Sequence, residues 1–142
     1  MKRLLLAIIF LFSISIISHS KVTLPPIFAD NMVLQQQTDA TIWGNATPDT
    51  KVVITNTWSK DKVVVRSDAD GKWFARVSTP VAGGPYNITI SDGEKLTLKN
   101  VLIGEVWICA GQSNMELPLR ETVDIEWIEQ PQVRMYTEPH EP

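Results

Sequence analysis

From Val22 to Ile103 hydrophobic and polar residues alternate in short runs, with no recurrence at helical spacing. Ile88 and Ile90 alternate with Asn87, Thr89 and Ser91; Leu96 and Leu98 alternate with Lys95, Thr97 and Lys99. Successive side chains of a strand point to opposite faces, so this pattern predicts antiparallel sheet with one buried and one wet face. The predicted strands are Met32-Val33-Leu34, Thr41-Ile42-Trp43, Lys51 to Thr57, Lys62 to Arg66, Lys72 to Val77, Tyr86 to Ser91 and Lys95 to Lys99. Turn residues separate them: Thr47-Pro48-Asp49, Asp70-Gly71, Ala82-Gly83-Gly84-Pro85 and Asp92-Gly93. The two Asp-Gly pairs predict hairpins of type I′, in which both central residues take positive φ. Short strands at this density predict a mainly β fold, with a β-sandwich over residues 21–103.

The pattern changes at Gly104. Glu105-Val106-Trp107-Ile108-Cys109-Ala110 carries apolar residues on both faces, which predicts an inner parallel strand of an α/β sheet. A helix is expected over Glu121 to Gln130, where Val123 and Trp127 stand four apart with Ile128 beside them; Thr122 caps it and Pro131 ends it. Gln132 to Tyr136 reads as the next strand. Strand, helix and strand over residues 104–142 make the opening unit of a larger doubly wound domain, incomplete as it stands.

Residues 1–20 sit outside the sheet pattern. Lys2-Arg3, the apolar run Leu4 to Phe12 and the small residues Ser18 and Ser20 fit a secretory signal peptide cut after Ser20. The alternative is an uncleaved anchor, since Ile14, Ile16 and Ile17 prolong the run; interrupting serines and an apolar length of about seventeen residues oppose it. The chain is thus expected to be secreted or periplasmic, without stable membrane insertion after cleavage. Its formal net charge is −3, and no basic run follows Arg3, so nucleic acid is not an expected partner. Cys109 is the single cysteine, which excludes an internal disulfide, and its apolar flanks predict a buried, inert thiol.

The chemistry concentrates in Gly111-Gln112-Ser113-Asn114-Met115. A strand that ends at glycine and presents serine on a tight turn exposes a hydroxyl nucleophile, with its own N–H free for a developing oxyanion. Such a hydroxyl needs a base, usually histidine held by a carboxylate. His19 leaves with the signal, and His140 lies in the proline-rich Glu138-Pro139-His140-Glu141-Pro142, so neither is expected to serve. Other features read as structure. Asp68-Ala69-Asp70-Gly71 lacks the later acidic ligands of a calcium loop and reads as a hairpin turn. Asn45-Ala46-Thr47 and Asn87-Ile88-Thr89 fit a glycosylation sequon, meaningful only in a eukaryotic secretory route. Trp43 is expected in the core, and Trp58 is the tryptophan most expected to face solvent.

Two blocks give the chain a resemblance. Leu24-Pro25-Pro26-Ile27-Phe28-Ala29-Asp30-Asn31-Met32-Val33-Leu34-Gln35 resembles the opening of secreted sialate O-acetylesterases, and Gly104 to Glu116 resembles the nucleophile block of that family. The family belongs to the SGNH, or GDSL-type, hydrolases. The resemblance implies a β-sandwich joined to an α/β/α esterase domain, of which this chain would hold the amino-terminal portion. It implies removal of O-acetyl groups from sialic acids or related sugars, with no metal or other cofactor. Ser113 would be the catalytic nucleophile; Gln112 stands where the general pattern has Asp. The family's Gly and Asn oxyanion donors and its Asp-x-x-His pair have no matching positions here, and Thr137 stands three before His140. A chain without them is expected to be inactive alone. Two other readings stay open: a non-catalytic β-sandwich that binds carbohydrate or serves as an accessory module, and a truncated chain whose final unit exposes apolar residues. The residues that would contact substrate are not identified by the sequence.

Overall fold

A computed structural model describes residues 21–112 and 132–137. The expected signal peptide, Ser113, the expected helix and His140 lie outside the described residues. Within them the protein is mainly β. The strands are β1 (Val33–Gln35), β2 (Asp39–Asn45), β3 (Lys51–Asn56), β4 (Lys62–Arg66), β5 (Lys72–Ser78), β6 (Gly83–Ser91) and β7 (Lys95–Gly104). Five form one sheet in the order β1-β7-β6-β3-β4, and β2 and β5 form a two-stranded antiparallel ladder. All pairs are antiparallel except β1 with β7.

The predicted alternation decides which residues go inside. Ile54 on β3 and Ile88 and Ile90 on β6 are fully buried, and Leu98, Val101 and Ile103 of β7 join them. From the small ladder come Ile42, Trp73, Ala75 and Val77. Buried side chains of both sheets belong to one continuous apolar cluster. Burial of this kind dominates the free energy of folding, about 1.5–3 kcal/mol for each large aliphatic side chain. Among the described residues β4 is an edge strand, and its Lys62 and Arg66 flank the exposed Val64. Charged residues on an exposed edge discourage pairing with another chain.

Seven strands form at the expected places, but β6 begins at Gly83 and β7 runs on to Gly104 instead of ending at Lys99, and the partners do not all follow sequence neighbours. β4 and β5 were expected to pair across Asp70-Gly71. Instead β4 pairs with β3 and β5 with β2, so this turn carries the chain between sheets. Only Gly71 (φ 81°) takes positive φ there, not Asp70, so the turn is not type I′. Asp68 shapes it: Oδ1 accepts the N–H groups of Asp70 (3.0 Å) and Lys72 (2.8 Å). The Asp92-Gly93 hairpin does form, but with Ser91 opposite Lys95 it has a three-residue loop, and only Gly93 has positive φ. Gly83-Gly84-Pro85, expected as turn, lies within β6 beside irregularities in its register with β7. Two buried hydroxyls brace the connections between sheets. Ser67 Oγ donates to Thr47 O (2.6 Å) and accepts Thr50 N–H (2.9 Å). Thr79 Oγ1 donates to Gln35 O (2.7 Å) and accepts Thr38 N–H (3.2 Å).

Gly71 has no room for a side chain. A Cβ would stand 2.5 Å from Ala46 O, and the Ala46 N–H itself donates to Gly71 O (2.8 Å). Gly71→Ala adds this clash to an unfavourable φ and is expected to cost about 1–3 kcal/mol. A thermal melt within experimental error of the parent would contradict it.

The candidate nucleophile approach

The two sequence blocks, far apart along the chain, meet in space. β1 runs parallel to β7 in the register Val33↔Leu102, Leu34↔Ile103 and Gln35↔Gly104. The first block therefore ends beside the start of the second. The main chain stitches them: Leu102 N–H donates to Met32 O (3.0 Å) and Gln36 N–H to Gly104 O (2.8 Å). Asn31 (φ 69°) N–H donates to Lys99 O (2.9 Å), and Asp30 Oδ1 accepts Lys99 N–H (2.7 Å).

Beyond Gly104 side chains take over from the ladder. The Glu105 carboxylate accepts Gln36 Nε2 at 2.6 Å and Gln35 Nε2 at 3.0 Å. Gln35 Oε1 in turn accepts Val106 N–H (2.8 Å), and Gln36 Oε1 accepts Ala82 N–H (2.8 Å). Two adjacent amides thus grip the first two residues after β7. Nothing in hydrophobic patterning marks this clamp; Gln35 and Gln36 read as ordinary polar residues after a strand. Hydrogen bonds from Gln36 and then Gln35 favour the ionised carboxylate and hold the Glu105 pKa below its ordinary 4.5. A depressed carboxyl pKa contributes stability above the unfolded-state pKa, and that contribution disappears as pH falls through the folded-state pKa. Acidification below about pH 4.5 is therefore expected to release both amides, visible as side-chain NH₂ shifts of Gln35 and Gln36. Glu105→Gln should remove that acid transition; its persistence would assign the transition elsewhere.

Residues 105–112 form no strand, and the expected inner strand Glu105–Ala110 is not formed. Trp107 and Ile108 are 82% and 94% exposed, and Cys109 is exposed instead of buried. A strand buried on both faces needs ladder partners on both edges, and none lies beside this segment among the described residues. Gln132 to Tyr136 is likewise not a strand. Its Arg134 guanidinium donates to Met32 O (3.2 Å) and to Asn100 O and Oδ1, docking this piece on the β1–β7 corner. The apolar segment leads to Gly111 and Gln112, the last described residues before Ser113.

The other sequence-marked residues are redistributed. Trp43 is 44% exposed, not core: Ile42 faces inward, so its neighbour on β2 must face out. Trp58 is half-buried, with Nε1 donating to Ser78 O (3.0 Å) and its ring edge-on to Tyr86 at 5.5 Å. Among the described residues no cluster of three His, Cys, Asp or Glu side chains is arranged to hold a metal ion. No helix among them is long and apolar enough to cross a membrane.

Comparison with known proteins places these features in context. No protein-family model matches the chain. The sialate O-acetylesterase of Mus musculus is 30% identical over 66% of this chain and 19% of its own length. That of Homo sapiens is 34% identical over 62% of this chain and again 19% of its own length. Among solved structures, a carbohydrate acetylesterase from Xanthomonas citri superposes with a TM-score of 0.66 at 36% identity, covering 72% of this chain and 23% of the other. The chain thus spans about a fifth of the length of the relatives it matches, and its likeness is to carbohydrate O-acetylesterases.

Proposed function

From that likeness we propose that this chain is the amino-terminal part of an exported carbohydrate O-acetylesterase, with Ser113 as nucleophile. The observation that carries the reading is the joining of the two blocks. Parallel pairing of β1 with β7 and the Gln35–Gln36–Glu105 clamp fix the origin of the segment that leads to Ser113. On the same reading, the two sheets that share one core form a β-sandwich over residues 21–103, and residues 104–142 open an SGNH hydrolase domain.

The reaction would proceed by acyl transfer. A base takes the proton from Ser113 Oγ, and the oxygen attacks the acetyl carbonyl of the sugar ester. The Ser113 N–H donates to the resulting oxyanion. The C–O bond to the sugar then breaks, the sugar alcohol leaves with the proton, and water releases acetate from the serine. The family's Asp-x-x-His base has no counterpart in this sequence, so the chain alone is expected to be inactive. The substrate class is an O-acetylated sugar or sialic acid. The test is acetate release from O-acetylated sialic acids and neutral acetylated sugars by a polypeptide that joins this chain to the segment supplying the base. Release from a sugar ester supports the reading; failure to release acetate from any of them would overturn it.

A further inference from the structure

The outer face of the β2–β5 ladder has a composition that folding does not explain. Alternation places Thr41, Trp43 and Asn45 of β2 beside Arg76, Phe74 and Lys72 of β5 on the side away from Ile42, Trp73 and Ala75. Trp43 and Phe74 are direct register partners, 44% and 71% exposed. A mostly exposed Phe74 beside a half-exposed Trp43 forms an aromatic pair on the surface that a ligand could cover. The Trp43 ring meets Phe28 in an edge-to-face contact with centroids 4.6 Å apart.

Two open hollows border these rings. One, of about 610 Å³, is lined by Trp43, Trp73, Phe74 and Lys72 of the ladder, by Val65 and Arg66 of the neighbouring edge strand β4, and by Asp68. The other, of about 350 Å³, shares Trp43, Lys72 and Trp73 and adds Asn45. Trp73 is 3% exposed, and its indole N–H has no acceptor among the described residues. The larger hollow thus joins aromatic and aliphatic lining to two cations. Its one carboxylate, Asp68, already accepts two backbone N–H groups through Oδ1. The chain as a whole is net negative, so this local positive balance is not a general property of its surface.

A sugar ring offers C–H faces to aromatic rings and hydroxyls around its rim, and an acidic sugar adds a carboxylate that a guanidinium can bind through two hydrogen bonds. A neutral sugar would leave both cations unused, and an apolar protein partner would have to bury them. We propose that the outer face of the β2–β5 ladder is a binding site for an acidic sugar, with its ring against Trp43 and Phe74 and its carboxylate at Arg66 and Lys72. The site goes beyond the esterase reading and does not depend on Ser113.

The test uses the full 142-residue chain and unesterified probes, so loss of the esterase reading leaves it untouched. N-acetylneuraminate and glucuronate are titrated against N-acetylglucosamine and glucose, with the tryptophan indole N–H signals as the NMR readout. Acidic sugars are expected to shift the Trp43 and Trp73 signals and to bind about tenfold more tightly than neutral ones. Arg66→Gln with Lys72→Gln should erase that preference, and Phe74→Ala should weaken both classes about fivefold. All three side chains are exposed, and each variant is checked for a parental melting temperature. The site is refuted by absent shifts at millimolar sugar, by equal binding of neutral sugars, or by binding that the variants leave unchanged. Concentration-dependent self-association that buries Trp43 would refute it too, in favour of a second copy as the occupant.

Discussion

Ser113→Ala is expected to lower acetyl-ester hydrolysis by at least about 10³-fold, with little change in substrate affinity. The hydroxyl oxygen is the atom that bonds to the acetyl carbon in the proposed reaction, and alanine keeps the backbone N–H while removing the nucleophile. Oxyanion donors and substrate contacts therefore survive and leave only the residual catalysis they provide alone. The comparison belongs in the gene product that also supplies a base, followed as acetate release at saturating substrate. Equal rates for parent and variant would remove Ser113 from the mechanism and leave the glycan-binding reading standing. Glu105→Gln is a useful companion, since it perturbs the clamp without touching the serine.

Ile54→Ala is expected to destabilise the fold by roughly 2–5 kcal/mol. Ile54 is fully buried and sits on a strand paired on both sides, opposite Val63 of β4 and Ile90 of β6. Truncation removes apolar burial and leaves a cavity that neighbours hydrogen-bonded on both edges cannot easily close. Val64→Ala on the exposed edge of β4 is the contrast, expected to stay within about 0.5 kcal/mol. Urea denaturation of both variants at unchanged slope separates the two outcomes. A midpoint for Ile54→Ala matching that of Val64→Ala would mean that the shared core is not the main source of stability.

The strands were legible because each buries one face. Ile88 and Ile90, or Val52 and Ile54, advertise an inward parity that survives whatever sheet they join. Pairing was less legible, because a turn such as Asp70-Gly71 closes a hairpin or crosses between sheets with the same local chemistry; the choice depends on Ser67 and the distant Thr47–Thr50 loop. Parity would have placed Trp43 outside, since Ile42 beside it is inward, whereas the size of the indole argued for the core. Segment 105–110 shows the reverse error. Its composition fits an inner strand, but composition cannot supply the neighbours that a strand requires.

Of the proposed site, the serine-bearing motif is an expectation from the sequence, and Ser113 lies outside the described residues. The clamp at Glu105 was not legible, because Gln35 and Glu105 are 70 residues apart and join by side-chain hydrogen bonds that follow no periodic rule. The pairing of β1 with β7 has a further consequence for how the molecule is made. Loop closure over that span is entropically slow, so contacts between the two segments should be among the last to form. During synthesis the ribosome must release β7 before β1 acquires its partner. A protease present while the nascent chain waits would then cut near residues 33–35, and resistance there should appear only after the strand ending at Gly104 has emerged.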